Sequence, residues 1–405
     1  DISYDIESIR LKQAFEQKGF LVNSIVITQF SYQDKAVRFE KYLDNLSINH
    51  YRTYNINGYP NDIDHILSKD GFGQNDYVKT TRPLVVVTGP GPGSGKMATC
   101  LSQMYLDHEQ GQRSSYSKFE TFPIWNLGLM HPVNMAYEAA TANLNDINMI
   151  DPYHLEAYGT SAVNYNRDVE AFPVLKKMLE KIMGDAPYKS PTDMGVNMVG
   201  FCIVDEEAAI EASKEEIIRR YFNSLVDFRF AKESYTSVEK IQTLMSNLDI
   251  KPEDRKVAIA AKKKQDLTGK ESFAIELEDG KIITGKKSNL FSAPAAAILN
   301  TLKKLGKIDD EILLLSPHII EPVSKLKTDS LGENEPSLSI NEMLIALAIS
   351  ATTNPLTHMA MEEIKNLKNL DAHSTVILND SEKRELRKLG LNFTQDAVFG
   401  EDSQY

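Results

Sequence analysis

The stretch "LVVVTGPGPGSGKMATC", Leu84–Cys100, decides the predicted fold and most of the functional interpretation. A run of β-branched residues leads into a glycine-rich loop, and a helical pattern follows from Met97 to His108. The glycines of the loop are Gly91, Gly93 and Gly95. A strand, a glycine-rich loop and a helix together can point backbone N–H groups at a phosphate, and Lys96 adds a positive charge. The stretch therefore predicts a phosphate-binding loop in an α/β domain.

The spacing of this loop departs from the standard phosphate-loop pattern G-x-x-x-x-G-K-[ST]. Counting back from Gly95 puts Pro90 at the first glycine position, and Met97 replaces the hydroxyl residue that ligates Mg²⁺ in the standard pattern. The hydroxyl that could substitute is on Thr99. The loop does not fit G-x-G-x-x-G either. The alternative is a Pro/Gly turn whose lysine faces solvent. The predicted phosphate-binding residues are Gly91, Gly93, Ser94, Gly95, Lys96 and Thr99.

Strand and helix patterns on the N-terminal side of the loop support an α/β domain. Ser24–Phe30 is short, apolar and β-branched, Lys35–Leu46 has helical spacing, and His50–Ile56 alternates like a strand. Together with the strand predicted at Leu84–Gly89, these patterns predict a parallel sheet. We assign residues 1–128 to a Rossmann-like or P-loop-like domain.

The next part of the chain is predicted to be mainly helical. Four segments have helical period and composition: residues 131–144, 167–184, 206–228 and 237–248. Polar, turn-rich connectors separate them, and connectors of this length are often functional. We assign residues 129–250 to a central helical domain.

Strand patterns return in residues 251–405, which we assign to a C-terminal α/β domain. Asp279-Gly280 between alternating apolar residues predicts a β-hairpin within residues 272–285. Further strands are predicted at residues 255–262, 311–317 and 374–379. Helices are predicted at residues 293–304, 340–350, 356–367 and 381–389.

Composition excludes several classes of protein. A net charge of −12 argues against general binding to nucleic acid or to an anionic membrane, both of which require a basic face. No apolar run is long enough to span a bilayer. Two cysteines cannot form a disulfide framework, which predicts a cytoplasmic location. No H-E-x-x-H or zinc-binding cysteine pattern is present, so no metal site is predicted.

Polar residues outside the loop supply the other candidate site positions. Asn164, Asn166 and Arg167 lie at the start of a predicted helix, where amides and a guanidinium could hold a phosphate or carboxylate. His131 and Asp193 are the candidate catalytic acid or base. Asn134 joins the candidate ligand-binding residues. The alternative is that these side chains cap helices or stabilise turns.

Five segments allow a resemblance to be stated: "VVVTGPGPGSGKMATC", "KFETFPIWNL", "HPVNMAYEAATANL", "NYNRDVEAFPVLKKMLE" and "SPTDMGVNMVGF". Over essentially all 405 residues the chain resembles the bacterial domain-of-unknown-function family 1846. Members of that family carry an additional N-terminal segment, which implies that part of the first domain's sheet is absent from this chain. Some members are labelled ATP-dependent peptidases, but this chain has no zinc-protease helix and its loop is irregular.

The C-terminal part also resembles the cytidine-deaminase fold. "ELEDGKIITGKKSNLFSAPAAAILNTL" is similar to the strand–strand–helix unit of deaminases, and "LLLSPHIIEPVSKL" is similar to their second ligand segment. Catalytic deaminases need a C-A-E or H-A-E turn and a P-C-x-x-C turn to hold zinc. Here the turns read Ser292-Ala293-Pro294 and Pro317–Glu321, so the resemblance implies the fold and disfavours deamination.

These observations predict a cytosolic protein that binds a nucleotide or a phosphorylated small molecule. The first hypothesis is an enzyme, either a hydrolase or a phosphoryl or group transferase. Lys96 would neutralise the phosphate, Arg167 would orient it, and His131 or Asp193 would transfer a proton. The competing hypothesis is a non-catalytic ligand-binding or assembly protein with a relict phosphate loop. A homo-oligomer is possible, and the sequence indicates no particular cofactor.

Overall fold

The chain folds as a mixed α/β protein with two compact units. The computed structural model describes residues 4–91, 93–185, 187–197 and 199–400. Unit 1 consists of Asp1–Gly128 and Asn148–Cys202, and unit 2 consists of Leu129–Ile147 and Ile203–Tyr405. The chain therefore leaves unit 1 after residue 128, returns to it at residue 148 and leaves it again after residue 202. The division into residues 1–128, 129–250 and 251–405 stays a prediction.

Unit 1 contains six α-helices and six strands among its described residues. The helices are α1 (Tyr4–Gln17), α2 (Asp34–Asn45), α3 (Ile63–Ile66), α4 (Lys96–Glu109), α6 (Pro152–Tyr158) and α7 (Asn166–Met183), with α5 belonging to unit 2. The strands are β1 (Ile25–Phe30), β2 (His50–Tyr54), β3 (Lys118–Phe119), β4 (Asn148–Ile150), β5 (Val163–Tyr165) and β6 (Gly195–Val196).

The predicted parallel sheet is present only as a two-stranded pair, in which β1 and β2 are parallel with Ile25 opposite His50. Two more small pairs complete the strands of unit 1: β3 with β6 in parallel, and β4 with β5 antiparallel. Side chains from α4 and α7, among them Leu101 and Phe172, form the apolar core of this unit. This core fixes the helix that follows the glycine-rich loop.

The strand predicted at Leu84–Gly89 is wrong. No strand is assigned there, and the side chains of Leu84 and Val86 are 82% and 79% exposed. A strand needs a neighbour to hydrogen-bond with its backbone. Among the described residues, β1 pairs with β2 and no strand pairs with this segment. The β-branched composition is therefore not sufficient to form a strand here.

Unit 2 contains nine α-helices and four strands among its described residues. The helices are α5 (Pro132–Ala140), α8 (Glu206–Arg229), α9 (Tyr235–Asn247), α10 (Lys256–Thr268), α11 (Ala293–Leu305), α12 (Pro317–Lys325), α13 (Ile340–Ala351), α14 (Pro355–Glu362) and α15 (Asp380–Leu389). The strands are β7 (Ser272–Glu276), β8 (Ile282–Lys286), β9 (Asp371–Ser374) and β10 (Asn392–Gln395).

The strands of unit 2 form one mixed sheet with the order β10–β9–β7–β8. The predicted hairpin is confirmed, since β7 and β8 are antiparallel and Ser272 lies opposite Lys286. β9 is antiparallel to β7 and parallel to β10. The largest apolar core of the unit includes Phe273 of β7 and Ile298 of α11, both fully buried. A second core joins α5, α8 and α9.

Three strands predicted in this region are wrong. Residues 255–262 lie mostly in α10, where Val257 and Ala261 face the interior one helical turn apart. The alanines of this segment favour a helix, and its alternation is too short to override that preference. Residues 311–317 form no strand. Only Ser374 of the segment 374–379 belongs to a strand, because β9 ends there.

Candidate functional site

The glycine-rich loop lies at the N-terminus of α4, as predicted. Gly95 precedes the helix with φ +79°, in the left-handed region that side chains with a Cβ atom disfavour. A Cβ at this position would lie 2.9 Å from Cγ2 of Thr28 on β1. The Thr28 hydroxyl also donates to the carbonyl of Ser94 at 3.3 Å. The loop is therefore held against β1 through Gly95 and Ser94.

The ammonium group of Lys96 closes this loop. It donates to the carbonyl of Gly91 at 2.9 Å and to the hydroxyl of Ser94 at 3.2 Å. Both partners are neutral, and no carboxylate among the described residues forms an ion pair with Lys96. The positive charge is thus kept at the loop and is not neutralised there. Gly93 also adopts a positive φ of +72°.

Thr99 and Cys100 face the inside of unit 1. Thr99 is buried, and its backbone N–H donates to the carbonyl of Gly95 at 2.9 Å. Burial raises the pKa of the Cys100 thiol to about 11. A thiol with that pKa is protonated at neutral pH and is a poor nucleophile. Cys100 therefore behaves as a small apolar residue that packs against the core of unit 1.

The predicted residues at the start of α7 are ordered by their neighbours. Asn164 is fully buried, its side-chain oxygen accepts from the backbone N–H of Tyr165 at 2.8 Å, and its amide donates to the hydroxyl of Thr192 at 3.4 Å. Asn166 is the first residue of α7. The guanidinium carbon of the exposed Arg167 lies 5.6 Å from the centre of the Tyr165 ring.

Asp193 holds a turn together. One carboxylate oxygen accepts from the hydroxyl of Tyr158 at 2.9 Å and from the backbone N–H groups of Lys189 and Ser190 at 2.9 and 3.2 Å. The other oxygen lies 3.7 Å from Nδ1 of His154. The hydrogen bond to Asp193 raises the pKa of Tyr158. This geometry matches the turn-stabilising alternative for Asp193, although its proposed catalytic role stays a prediction.

His131 and Asn134 lie in unit 2, whereas the loop and the other predicted residues lie in unit 1. His131 caps α5, where its Nδ1 accepts from the backbone N–H of Val133 at 3.3 Å. Its Nε2 lies 3.5 Å from a carboxylate oxygen of Glu206. Asn134 is fully buried in the first turn of α5. The meeting of these two residues with the loop in one cleft stays a prediction.

A polar cluster that the sequence did not single out lies at β3 in unit 1. We call it the Lys118 cluster; its members are Lys118, Glu120, Tyr165 and Asp168. The Lys118 ammonium contacts Glu120 at 2.6 Å, donates to the Tyr165 hydroxyl at 2.9 Å and donates to both oxygens of Asp168. The only signal in the sequence is the alternation of charge and aromatic residues in "KFETFPIW".

Burial shifts the pKa values of the Lys118 cluster. Burial raises the pKa of Glu120, the negative charge of Asp168 raises it further, and the positive charge of Lys118 lowers it. Burial alone would lower the pKa of Lys118, but the two carboxylates outweigh that effect and raise it. The lysine therefore stays charged at neutral pH. Glu120 has a higher proton affinity than an exposed glutamate.

Among the residues that the structure describes, no three or more His, Cys, Asp or Glu side chains are grouped so that they could hold a metal ion. The same residues include no helix with the length and apolar character needed to cross a membrane. The absence of a metal site from the protein stays a prediction.

The fold and the loop define a class: a mixed α/β protein in which a lysine-closed glycine loop begins a helix. The chain belongs to the family DUF1846. The family model for the N-terminal domain of unknown function DUF1846 matches residues 1–249, and the model for the C-terminal domain matches residues 253–405.

Relatives from Streptococcus pneumoniae are similar over the whole chain. The "UPF0371 protein" of strain CGSP14 is 56% identical over 404 residues, which cover 100% of this chain and 82% of the relative. The proteins of the same name from strains JJA and Hungary19A-6 are 56% and 55% identical with the same coverage. These names state no activity, so the function has to be argued from the site.

Proposed function

We propose that the chain binds the phosphate group of a nucleotide or small molecule at the loop Gly91–Lys96 and acts on that molecule as an enzyme. The observation that carries the proposal is the Lys96 ammonium, which two neutral oxygens of the loop hold beside the N-terminus of α4. When a phosphate binds, the Lys96 ammonium would give up its two neutral acceptors and donate to a charged one, which forms a stronger hydrogen bond.

The N-terminus of α4 supports the same ligand. The first amides of a helix have no partner within it, and Gly95 has no side chain with which to cap them. The helix dipole adds a partial positive charge at this end. Amides, dipole and ammonium therefore act on the same side of the loop, and each favours an anion.

Magnesium chemistry of the standard kind has less support at this loop. Met97 replaces the hydroxyl ligand, and a thioether is a poor ligand for a hard cation. Thr99 is buried one turn into α4. We propose that the binding of phosphate depends on Lys96 and the backbone amides. Transfer or hydrolysis would then use an acid or base such as His131 or Asp193.

We also propose the fold type of each part of the chain, the location of the protein and its oligomeric state. The strand–strand–helix unit of β7, β8 and α11 supports a cytidine-deaminase-like fold for the C-terminal part. The loop before α4 supports a P-loop-like fold for the N-terminal part. The cytoplasmic location and the homo-oligomer are likewise proposed on the sequence alone.

Binding is tested by thermal shift and calorimetry with inorganic phosphate, ATP and ribose 5-phosphate. We expect at least one of the three to stabilise the wild type. We expect Lys96→Ala to weaken that binding about tenfold or more, because a hydrogen bond to a charged group contributes about 1.5–3 kcal/mol. Lys177→Ala, which removes an exposed lysine of α7, is the matched control and should bind like wild type.

Two outcomes would contradict this proposal in different ways. Absence of any shift with all three probes, or equal binding by Lys96→Ala, would overturn the phosphate site itself. Binding that depends on Lys96 without release of phosphate or transfer from the bound probe would overturn the enzymatic part. The non-catalytic binding protein would then be the correct reading.

A further inference from the structure

The Lys118 cluster belongs to a polar face formed by two parallel strands. β3 and β6 pair with Lys118 opposite Gly195. The backbone N–H of Glu120 continues the ladder by donating to the carbonyl of Val196 at 3.1 Å. Because side chains alternate along a strand, Lys118 and Glu120 share one face, and Gly195 and Asn197 share that face on the neighbouring strand. Glu120 and Asn197 thus follow the carboxyl ends of both strands, where ligands commonly bind in α/β proteins.

Three buried polar atoms at the ends of these two strands and on Trp125 have no hydrogen-bond partner among the residues that the structure describes. They are Oε2 of Glu120, Oδ1 of Asn197 and Nε1 of Trp125. The Glu120 side chain is 9% exposed and the Asn197 residue is 4% exposed. Leaving a buried polar atom unpaired costs about 1–3 kcal/mol, and native structures rarely contain several such atoms together. Two acceptors and one donor therefore remain unsatisfied within unit 1.

Trp125 is fixed against Gly195 of β6. A Cβ at Gly195 would lie 2.7 Å from Cζ2 of the indole ring, so only glycine permits this close approach. The carbonyl of Trp125 accepts from the backbone N–H of Val163 at 3.0 Å, which ties it to β5. Asn197 is held as well, because its amide donates to the carbonyl of Pro123 at 2.7 Å. The unpaired atoms are thus on side chains whose positions are already set.

The charges of the cluster disfavour an anionic ligand. Lys118 is the single cation of the cluster, and the carboxylates of both Glu120 and Asp168 bind it. With both carboxylates ionised the cluster has a net charge of −1. The unpaired Glu120 oxygen would repel a phosphate or carboxylate. Solvent reaches the cluster at Lys118, whose side chain is 21% exposed.

We propose that this face binds a neutral polyhydroxylated group, that is, a sugar or another polyol. A hydroxyl group can both donate and accept a hydrogen bond. Hydroxyls of such a ligand would donate to Glu120 and Asn197 and would accept from the indole N–H of Trp125. The proposal does not depend on the phosphate loop, because no residue of that loop contributes to it.

Trp125 provides a direct measurement, since it is the only tryptophan in the sequence. We would titrate the full chain with D-ribose, D-glucose and myo-inositol and follow the emission of Trp125. The expected result is a saturable change with at least one of the three and no change with inorganic phosphate. Glu120→Gln should weaken the binding about tenfold or more, because it removes a charged acceptor. Glu156→Gln, at an exposed position of α6, is the matched control.

A second variant guards against misfolding. Trp125→Phe keeps an aromatic ring but removes an N–H that has no partner in the described part of the chain. We expect an unchanged melting temperature without sugar and binding weakened about threefold to tenfold by calorimetry. Lys96→Ala should bind the sugar like wild type, which separates this proposal from the phosphate site. No saturable response to any of the three polyols, or equal affinity in wild type, Glu120→Gln and Trp125→Phe, would overturn it.

Discussion

Gly95 shows how one residue sets the geometry of the glycine-rich loop. Its left-handed backbone would cost a residue with a Cβ about 1–2 kcal/mol, and the Cβ would also press against Thr28. We expect Gly95→Ala to lower the free energy of unfolding by more than that backbone cost. Urea denaturation followed by circular dichroism would measure the loss.

Gly93 is the matched control for that measurement. It has a similar positive φ, but a Cβ there would meet nothing within 4 Å. Gly93→Ala should therefore show the backbone cost alone. If the two alanine variants lose the same stability, the contact between Gly95 and Thr28 makes no difference.

The glycine-rich loop could be predicted from the sequence, whereas the Lys118 cluster could not. The positions of Gly93, Gly95 and Lys96 before a helix followed from the sequence, because local backbone preferences produce this geometry. The Lys118 cluster could not be predicted in the same way. Lys118 and Asp168 are 50 residues apart, and only the folding of β3 against α7 brings them together.

At the scale of elements, Arg255 connects helix α8 to the sheet of unit 2. It is 1% exposed, and its guanidinium donates to Glu215 of α8 at 3.1 Å, to Asp371 of β9 at 3.1 Å and to the Thr394 hydroxyl of β10 at 2.9 Å. The side chains of Glu215 and Asp371 are 38% and 32% exposed, so water can hydrate them once the arginine is removed. The Thr394 hydroxyl and the Ala372 carbonyl are buried and would lose a donor. We expect Arg255→Met to destabilise the protein by about 1–3 kcal/mol in chemical denaturation, the cost of leaving buried polar groups unpaired.

Arg220 provides the comparison for Arg255. It is partly exposed and pairs with Glu216 one turn away on α8. Exposed pairs of this kind contribute about 0–1 kcal/mol, so Arg220→Met should change the unfolding free energy little. A loss at Arg255 no larger than the loss at Arg220 would show that the buried network does not stabilise the junction of α8 with the sheet.

Predictions for elements succeeded where side-chain periodicity and burial agreed. The hairpin of β7 and β8 and the helices α4, α7, α8 and α11 formed as expected, because each buries one apolar face against a core. Residues 255–262 were predicted as a strand because apolar residues are frequent there. Their alanine content and the burial of Val257 and Ala261 one turn apart make a helix instead. Short strands such as β3 and β6 have too few residues for a pattern.

For the molecule as a whole, we expect the titration of His373 to make the free energy of unfolding depend on pH. Its ring is buried against Phe222, with Nδ1 2.8 Å from the Thr394 hydroxyl and Nε2 3.3 Å from Asp396. Burial lowers the pKa of His373, Asp396 opposes this effect, and the charge of Arg255 adds to it. The folded state thus holds the histidine neutral over a wider range than the unfolded state does.

The sign of this dependence follows from proton binding. Above the unfolded pKa of about 6.5 both states are neutral and stability is complete. As the pH falls below that value, the unfolded state binds the proton first and stability decreases, by at most about 1.4 kcal/mol per pH unit for one group.

This dependence can be measured as the midpoint concentration of urea-induced unfolding at pH values between about 7.5 and about 5.5, in wild type and in His373→Gln. We expect a smaller decrease in the variant. Other groups titrate in the same range, but they are common to both proteins, so the difference isolates His373. A wild-type midpoint that decreases no more than that of the variant would contradict the prediction.

The sequence by itself determined the mixed α/β class, most of the long helices, the hairpin and the glycine-rich loop with its lysine. These features depend on residues close together in the chain, whose backbone preferences and apolar spacing act locally. Only the tertiary structure decided that Leu84–Gly89 has no strand partner among the described residues and that a largely buried lysine binds two carboxylates. Strand pairing and buried ion pairs join distant parts of the chain, so their free energy depends on neighbours that local pattern does not specify.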